Sequence, residues 1–172
     1  MLNARLPALA LVLLGSVSFS YADVEVVFVE SAPKDRFVLS NTGQCKLQNL
    51  VLNLDLSNSA GRLIFDTTEA GAGVEVFQPF EVSRGDLTLL SSSNVKDGDS
   101  VLSVSIGRID AYGSVSFTID VDDTLPQSEL GNIRVIGAEM RNASVEISSK
   151  GKPSAKATFG SDNKAVISLS SC

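Results

Sequence analysis

The chain contains no histidine and no tryptophan. Without histidine, neither a Ser-His-Asp nor a Cys-His catalytic arrangement can form, and the commonest side-chain ligand of transition metals is missing. Aromatic residues make up only 6% of the chain, which disfavours the aromatic-lined, two-carboxylate cleft of a glycosidase. These absences predict that the protein is not an enzyme.

Cysteine is also scarce, because Cys45 and Cys172 are the only two in the sequence. In an exported chain such a pair most often forms a disulfide, which here would tie the last residue to the early part of the fold. Closing so long a loop stabilises a fold by roughly 4–5 kcal/mol in the chain-entropy model. Two free thiols or an intermolecular bridge are the alternatives.

The N-terminal segment 1–22 has the features of a secretory signal peptide. Arg5 precedes an apolar run over residues 6–17, and small residues occupy the first and third positions of Ser20-Tyr21-Ala22. We therefore expect cleavage before Asp23 and a secreted, periplasmic or cell-surface protein with a single domain over residues 23–172. An N-terminal anchor helix is the alternative, although the apolar run is short for a membrane span.

Negative charge predominates, with 20 acidic residues against 14 basic ones and a net charge of −6. Removal of Arg5 with the signal peptide makes the net charge one unit more negative. An acidic surface repels nucleic acid and anionic lipid, so we expect no nucleic-acid partner and no membrane contact after signal cleavage.

Apolar and polar residues alternate with a period of two along most of the chain, which predicts β-strands. The alternation is clearest in LQNLVLNLDLS, VLSVSIGRI and SVSFTIDVDD, and no stretch shows apolar residues at helical spacing. Further predicted strands cover residues 24–30, 36–41, 63–67, 74–82, 87–92, 133–140, 143–149, 154–159 and 164–170. Roughly ten or more short strands with regular turns predict an all-β fold, an antiparallel β-sandwich of immunoglobulin-like or jelly-roll-like type. A barrel is the alternative.

Three aspartates, Asp120, Asp122 and Asp123, close the strand SVSFTIDVDD. Asp120 and Asp122 share one face of that strand, roughly 7 Å apart. Since Ca²⁺ prefers several oxygen ligands, we interpret the three as a candidate Ca²⁺ site, and Ca²⁺ is the only cofactor that the sequence suggests. The alternative is a solvated strand end whose acids oppose edge pairing. Other acidic residues that could join the site are Asp66, Glu69, Asp97, Asp99 and Glu129.

The segment GAGVEVFQPFE places Phe77 and Phe80 on either side of Gln78-Pro79. Proline removes a ladder hydrogen bond and therefore indicates an edge strand or a bulge. Two interpretations follow, a recognition edge with exposed rings or two core phenylalanines flanking a kink, and we favour the core.

GAGVEVFQPF and FTIDVDDTL, within a stretch covering about residues 30–148, resemble small exported proteins of marine bacteria. That family is called aggregation factor core protein, for its similarity to part of the sponge aggregation factor. FVLSNTGQCKLQNLVLNLDL also resembles bacterial immunoglobulin-like modules. The resemblance implies an adhesive or matrix-associated role, with a cell-surface or matrix protein or glycan, or a second copy of the chain, as partner. The alternative function is a pilus-type or matrix structural subunit assembled by strand donation.

Overall fold

The computed structural model describes residues 22–31, 34–69, 71, 73, 76–90 and 95–169. The predicted signal peptide, apart from Ala22, lies outside the described residues, and so does Cys172. Signal cleavage and the pairing of Cys45 with Cys172 therefore stay predictions.

Within the described residues the chain forms twelve strands and one short helix. The strands are β1 Ala22–Val29, β2 Arg36–Asn41, β3 Leu47–Asp55, β4 Ile64–Asp66, β5 Glu81–Arg84, β6 Asp86–Leu89, β7 Val101–Ile109, β8 Ser114–Thr118, β9 Asp120–Asp122, β10 Ser144–Ser149, β11 Ala155–Thr158 and β12 Lys164–Leu169; the helix is α1 Gly137–Met140. No helix in this described part is long and apolar enough to span a membrane.

The strands build two five-stranded antiparallel sheets, in the orders β12-β1-β2-β8-β5 and β11-β10-β3-β7-β6. A separate two-stranded sheet, which we call the ribbon, pairs β4 with β9. The two large sheets pack against each other without closing into a barrel. The prediction of an antiparallel β-sandwich is confirmed.

The core between the sheets follows directly from the alternation in the sequence. In β3, Leu50, Leu52 and Leu54 are buried, while the residues between them are partly exposed. From the facing sheet, the rings of Phe37 and Phe117 stack with centroids 5.2 Å apart. Each side chain of this size contributes roughly 1.5–3 kcal/mol when fully buried, so the core fixes which face of each strand points inward.

Strand registers define two ends of the sandwich. The pairs that mark the end near Cys45, which we call the Cys45 end, are Ala22↔Leu169, Ser40↔Ser114 and Leu47↔Ile109. The pairs that mark the opposite end, where the ribbon lies, are Arg36↔Thr118 and Asp55↔Val101. We call this second end the ribbon end.

The predicted strand over residues 133–140 is wrong. Arg134 closes a turn onto Gly131, and residues 137–140 form α1. The carboxylate of Glu139 accepts a hydrogen bond from the backbone N–H of Ile136 at 2.9 Å, which caps the helix from within. A local capping interaction has replaced strand pairing, and the buried side chain of Met140 anchors the turn.

The predicted strand over residues 74–82 is also wrong for most of its length, because β5 begins only at Glu81 and the described residues before it, 76–80, are irregular. Gln78 donates its N–H to the carbonyl of Asp66 and accepts the N–H of Asp120. Pro79 has no N–H to continue such a ladder. The ring of Phe80 packs 5.1 Å from that of Phe117, which supports the core interpretation for this phenylalanine.

The predicted strand over residues 114–123 is broken at Ile119. The N–H of Ile119 donates to the carbonyl of Asp35 instead of to a neighbouring strand. The chain therefore leaves the large sheet after β8 and starts β9 in the ribbon. This break places the aspartates of β9 at the ribbon end, away from the large sheets.

Candidate metal centre

The ribbon brings two aspartates into direct opposition. Asp66 is the last residue of β4, and it pairs with Asp120, the first residue of β9. Asp122 lies two residues further along β9 and therefore on the same face. One carboxylate oxygen from each of Asp66, Asp120 and Asp122 can be chosen so that all three lie within 4.8 Å of one another. We call these three residues the aspartate triad.

The triad is buried. The exposed fractions of Asp66, Asp120 and Asp122 are 0%, 3% and 1%. Both carboxylate oxygens of Asp66, and Oδ2 of Asp120, are buried with no hydrogen-bond partner in the protein. A buried polar atom without a partner costs about 1–3 kcal/mol, and more if the group is charged. These oxygens are therefore the least satisfied groups of the ribbon.

Burial and repulsion by neighbouring carboxyls disfavour the ionised forms of Asp66 and Asp120. Burial, followed by the neighbouring carboxyls of Asp97 and Asp122, raises the pKa of Asp66 to about 7. Burial, followed by the charges of Asp122, Asp35 and Asp66, raises the pKa of Asp120 to about 8. Without a cation, Asp66 and Asp120 therefore retain protons close to neutral pH.

A fourth aspartate, Asp97, lies against Asp66. Its Oδ1 accepts the backbone N–H groups of Thr67 at 2.7 Å and Thr68 at 3.2 Å, which fixes the carboxyl beside the end of β4. The turn KDGD, residues 96–99, holds Asp97 in place, because the side chain of Asp99 in the same turn accepts the N–H of Lys96. The expectation that this turn reaches the other aspartates is confirmed for Asp97. The side chain of Asp99 instead serves the turn itself.

A fifth aspartate, Asp35, is buried and positions β9. Its Oδ1 accepts the N–H of Ser31 at 3.1 Å, and its Oδ2 accepts the N–H of Val121 at 3.0 Å. Burial raises the pKa of Asp35 to about 7 even though both hydrogen bonds favour the carboxylate. Both of its oxygens are engaged, so Asp35 holds the strand that carries the triad.

Asp123, which the sequence analysis included in the candidate Ca²⁺ site, has a different environment. Its Oδ1 accepts the N–H of Leu125 at 3.0 Å and the amide of Asn132 at 3.2 Å. These contacts fasten the loop that follows β9. The structure brings Asp120 and Asp122 together with Asp66, and Asp123 lies outside that set. Glu69 and Glu129 are both exposed.

The solvated strand end, our alternative interpretation, is wrong. Asp120, Asp122 and Asp123 are all at least 97% buried, since their exposed fractions are 3%, 1% and 2%. The alternation of β8 predicts that Asp120 and Asp122 point away from the core. The break at Ile119 starts a new strand, and its pairing with β4 covers both residues.

Glycines pass directly over the carboxylates. A Cβ added to Gly73 would lie 2.2 Å from Oδ2 of Asp66 and 2.6 Å from Oδ2 of Asp122. A Cβ added to Gly71 would lie 1.1 Å from Oδ2 of Asp97. No side chain fits at either position without displacing a carboxylate. The GAG sequence at 71–73 was therefore the available signal that the backbone approaches the site closely.

The geometry fits a single divalent cation. Oxygen ligands of one Ca²⁺ lie at about 2.3–2.6 Å from it, so two of them can be up to about 5 Å apart. The spacing within the triad satisfies this limit. Carboxylates have no donor of their own, so only a cation or a proton can relieve the repulsion between Asp66 and Asp120.

Comparison with known proteins finds no matching family model, no matching curated protein and no matching solved structure.

Proposed function

We propose that the protein is an exported, non-enzymatic β-sandwich module for adhesion or matrix binding, and that Ca²⁺ bound by the aspartate triad stabilises its ribbon end. One observation carries the metal site. Asp66 is completely buried directly opposite Asp120, and neither of its oxygens has a hydrogen-bond partner. A divalent cation supplies the missing partner for these oxygens and neutralises the repulsion between the two carboxylates.

The chemistry of the ligands favours Ca²⁺ over other metals. All three triad ligands are carboxylate oxygens, whereas Zn²⁺ sites use cysteine and histidine, and the chain has no histidine. Mg²⁺ demands a near-octahedral shell and keeps several waters, which a triad with exposed fractions of 0–3% accommodates poorly. Extracellular Ca²⁺ modules bind with dissociation constants of about 10⁻⁴–10⁻³ M, a range that suits an exported protein.

The same burial argues against catalysis by these carboxyls. A general acid or base must come within hydrogen-bond reach of its substrate, and Asp66 has no exposed surface. The raised pKa values therefore support a cation site that is filled by protons when the cation is absent. The adhesive role itself rests on the resemblance to the aggregation factor core proteins.

We also propose that Cys45 and Cys172 form a disulfide. β12 ends at Leu169, which pairs with Ala22, and the next residue of β1, Asp23, accepts the backbone N–H of Thr42. The last described residue of β12 and the loop that carries Cys45 therefore lie at the same end of the sandwich. Peptide mapping of the non-reduced protein should yield the linked pair, and two unlinked thiols would contradict it.

The metal site is tested by calorimetric titration of the chelator-treated protein with Ca²⁺. We expect one ion per chain, and a rise in unfolding free energy of about 2.7 kcal/mol when free Ca²⁺ reaches about a hundred times the dissociation constant. Asp120→Asn should weaken binding at least tenfold, since it removes a charged ligand and about 1.4 kcal/mol corresponds to each factor of ten. The matched control is Glu69→Gln, an exposed acid outside the triad, which should bind as the parent does. An unaltered protein that shows neither binding heat nor stabilisation would overturn the site.

The adhesive role is tested with beads that carry the protein. Beads should aggregate in millimolar Ca²⁺ and disperse in chelator, and Asp120→Asn beads should stay dispersed. The structural-subunit alternative predicts instead that the purified chain requires a donated strand. Refolding of the chain alone to a stable monomer would exclude that alternative.

A further inference from the structure

A cavity of about 440 Å³ opens at the Cys45 end of the sandwich, between the end of β10, the start of β11 and the last residues of β12. Leu47, Leu50 and Ile147, which are buried core residues, provide its apolar floor. Lys46, Lys150 and Lys152 line the same cavity. We call this feature the lysine pocket. Its volume lies within the range of about 300–1,000 Å³ that is usual for small-ligand sites.

The charged residues that line the lysine pocket have the opposite sign to the net charge of the protein. Its described lining contains three lysines and no carboxylate, in a chain whose net charge is −6. A second cavity at the same end mixes the two signs, with Arg84 and Arg108 beside Asp86 and Asp110. Lys46 approaches Asp110 at 3.9 Å, a long contact between half-exposed groups that neutralises little of its charge. The charged side chains of the described lining are therefore all cationic, on an acidic molecule.

The rim of the pocket offers neutral hydrogen-bonding groups. Asn49 has a left-handed backbone with φ of 52°, and this interrupts the alternation of β3 so that Gln48 and Asn49 are both exposed. Four serines complete the polar lining: Ser148, Ser149, Ser154 and Ser168. Amides and hydroxyls both donate and accept, so they suit a ligand that carries hydroxyl groups.

We propose that the lysine pocket binds a small acidic sugar unit, one that carries a carboxylate or a sulfate group. Lysine ammonium groups on flexible stems act as point charges that can follow an anion presented in several orientations. The amide and hydroxyl groups of the rim bind the sugar hydroxyls, and the apolar floor contacts the ring carbons. This inference names a ligand class for the proposed binding module, and it uses none of the residues of the aspartate triad.

The two sites lie at opposite ends of the sandwich. Leu47 at the start of β3 lines the lysine pocket, and Asp55 at its other end pairs with Val101 at the ribbon end. A nine-residue strand extends roughly 25 Å, so the two sites have no shared residue and little direct electrostatic coupling at physiological salt. A result that disproves one of the two proposed sites therefore leaves the other open to test.

The test is titration of the intact oxidised protein with three oligosaccharides of matched length, one built from uronic acids, one sulfated and one neutral, at low and at physiological salt. We expect one of the acidic oligosaccharides to bind, the neutral one not to bind, and the affinity to fall as salt screens the lysines. Which acidic oligosaccharide binds more tightly identifies the anionic group. An acidic peptide of the same charge serves as the competing class of ligand.

The matched variants are Lys150→Gln with Lys152→Gln in the pocket and Lys156→Gln outside it, on exposed β11. The double variant should raise the dissociation constant about tenfold or more, because two charge-assisted contacts are lost. Lys156→Gln and Asp120→Asn should each change it less than about twofold, since neither residue lies in the pocket. The proposal would be overturned if the double variant and Lys156→Gln lost affinity equally, or if the neutral oligosaccharide bound. Preference for the acidic peptide, or no binding of any oligosaccharide, would overturn it as well.

Discussion

Asp66 and Asp120 face each other across the ribbon, and like charges in directly opposed strand positions repel. Both are buried, so water cannot screen them. The protein tolerates the pair only with protons or a cation between the two carboxyls. The balance between these two occupants determines how each substitution in the triad should behave.

The effect of Asp66→Asn on the free energy of unfolding should change sign when Ca²⁺ is bound. In chelator at about pH 8 the variant should be more stable than the parent by about 1 kcal/mol, because it removes a buried like-charge pair. In saturating Ca²⁺ the parent should be the more stable, because the variant has lost a ligand. Urea unfolding in both conditions measures the difference, with Glu69→Gln as the control that stays within about 0.5 kcal/mol. A variant that is less stable than the parent in chelator would contradict the repulsion.

Gly73→Ala should abolish tight Ca²⁺ binding, because its Cβ would meet Asp66 and Asp122 at 2.2 and 2.6 Å. Calorimetric titration should show a dissociation constant at least tenfold larger, equivalent to about 1.4 kcal/mol of lost binding free energy. Gly131→Ala is the comparison. Its φ of 84° makes alanine costly by about 1–2 kcal/mol, but a Cβ there meets nothing within 4 Å, so Ca²⁺ affinity should stay unchanged. Equal affinity of the parent and Gly73→Ala would show that the ion does not lie beneath this glycine.

The sequence predicted part of this site. The period of two placed Asp120 and Asp122 on one face, and the structure agrees. The opposition of Asp66 to Asp120 depends on how a chain segment more than 50 residues away returns to pair, which no local pattern encodes. The environment of Asp123 depends in the same way on Asn132, a side chain from a loop without a recognisable motif.

At the scale of elements, the ribbon is short and stands apart from the large sheets. Each of its strands has three residues, and Gln78 bridges them through one hydrogen bond to Asp66 and one from Asp120. So short a pairing around repelling carboxyls makes the contact between β4 and β9 depend on whether protons or a cation occupy the triad.

Ca²⁺ should therefore slow hydrogen exchange most strongly in the ribbon. We expect the amides of Ile64 and Asp122, which pair across the ribbon, to gain protection, since a cation ties β4 to β9 and opening then requires its release. Amides of β10, which pairs on both sides with other strands, should change little. Mass spectrometry or NMR with and without Ca²⁺ measures both. Uniform protection across the molecule would point to global stabilisation without a site in the ribbon.

Predictions for elements succeeded where burial alone decides the structure. The bounds of β2 and β7 agree with the sequence, because both strands alternate over most of their length and pair with a strand on each side. Predictions failed where hydrogen bonds outside the strand ladders compete with pairing, as the side chain of Glu139 does in α1 and as the backbone carbonyl of Asp35 does at Ile119. Alternation cannot reveal such partners, because they come from distant or irregular segments.

At the scale of the whole molecule, the buried carboxyls determine how stability depends on pH. The pKa values of Asp35, Asp66 and Asp120 rise from 3.8 to about 7, about 7 and about 8 in the folded protein. The unfolded chain releases these protons above about pH 4, whereas the folded chain retains them. Between about pH 4 and about pH 8, the stability of the metal-free protein should therefore be greatest at the low end and should fall as the pH rises.

Urea unfolding in chelator between about pH 5 and about pH 8 tests that slope, which linkage requires to be negative. Asp120→Asn should flatten it, because one of the titrating groups is gone. Added Ca²⁺ should restore stability mainly at the upper end of the range, where the cation no longer competes with protons. Stability that rises with pH in chelator would contradict the assignment of protonated carboxyls.

The most direct test is a crystal structure of the protein grown with Ca²⁺ or with a lanthanide substitute, with the ion located by its anomalous scattering. We expect one peak about 2.3–2.6 Å from oxygens of Asp66, Asp120 and Asp122. Carboxyl oxygens of Asp66 and Asp120 in mutual hydrogen-bond contact, with no peak between them at saturating ion, would show that protons alone occupy the site.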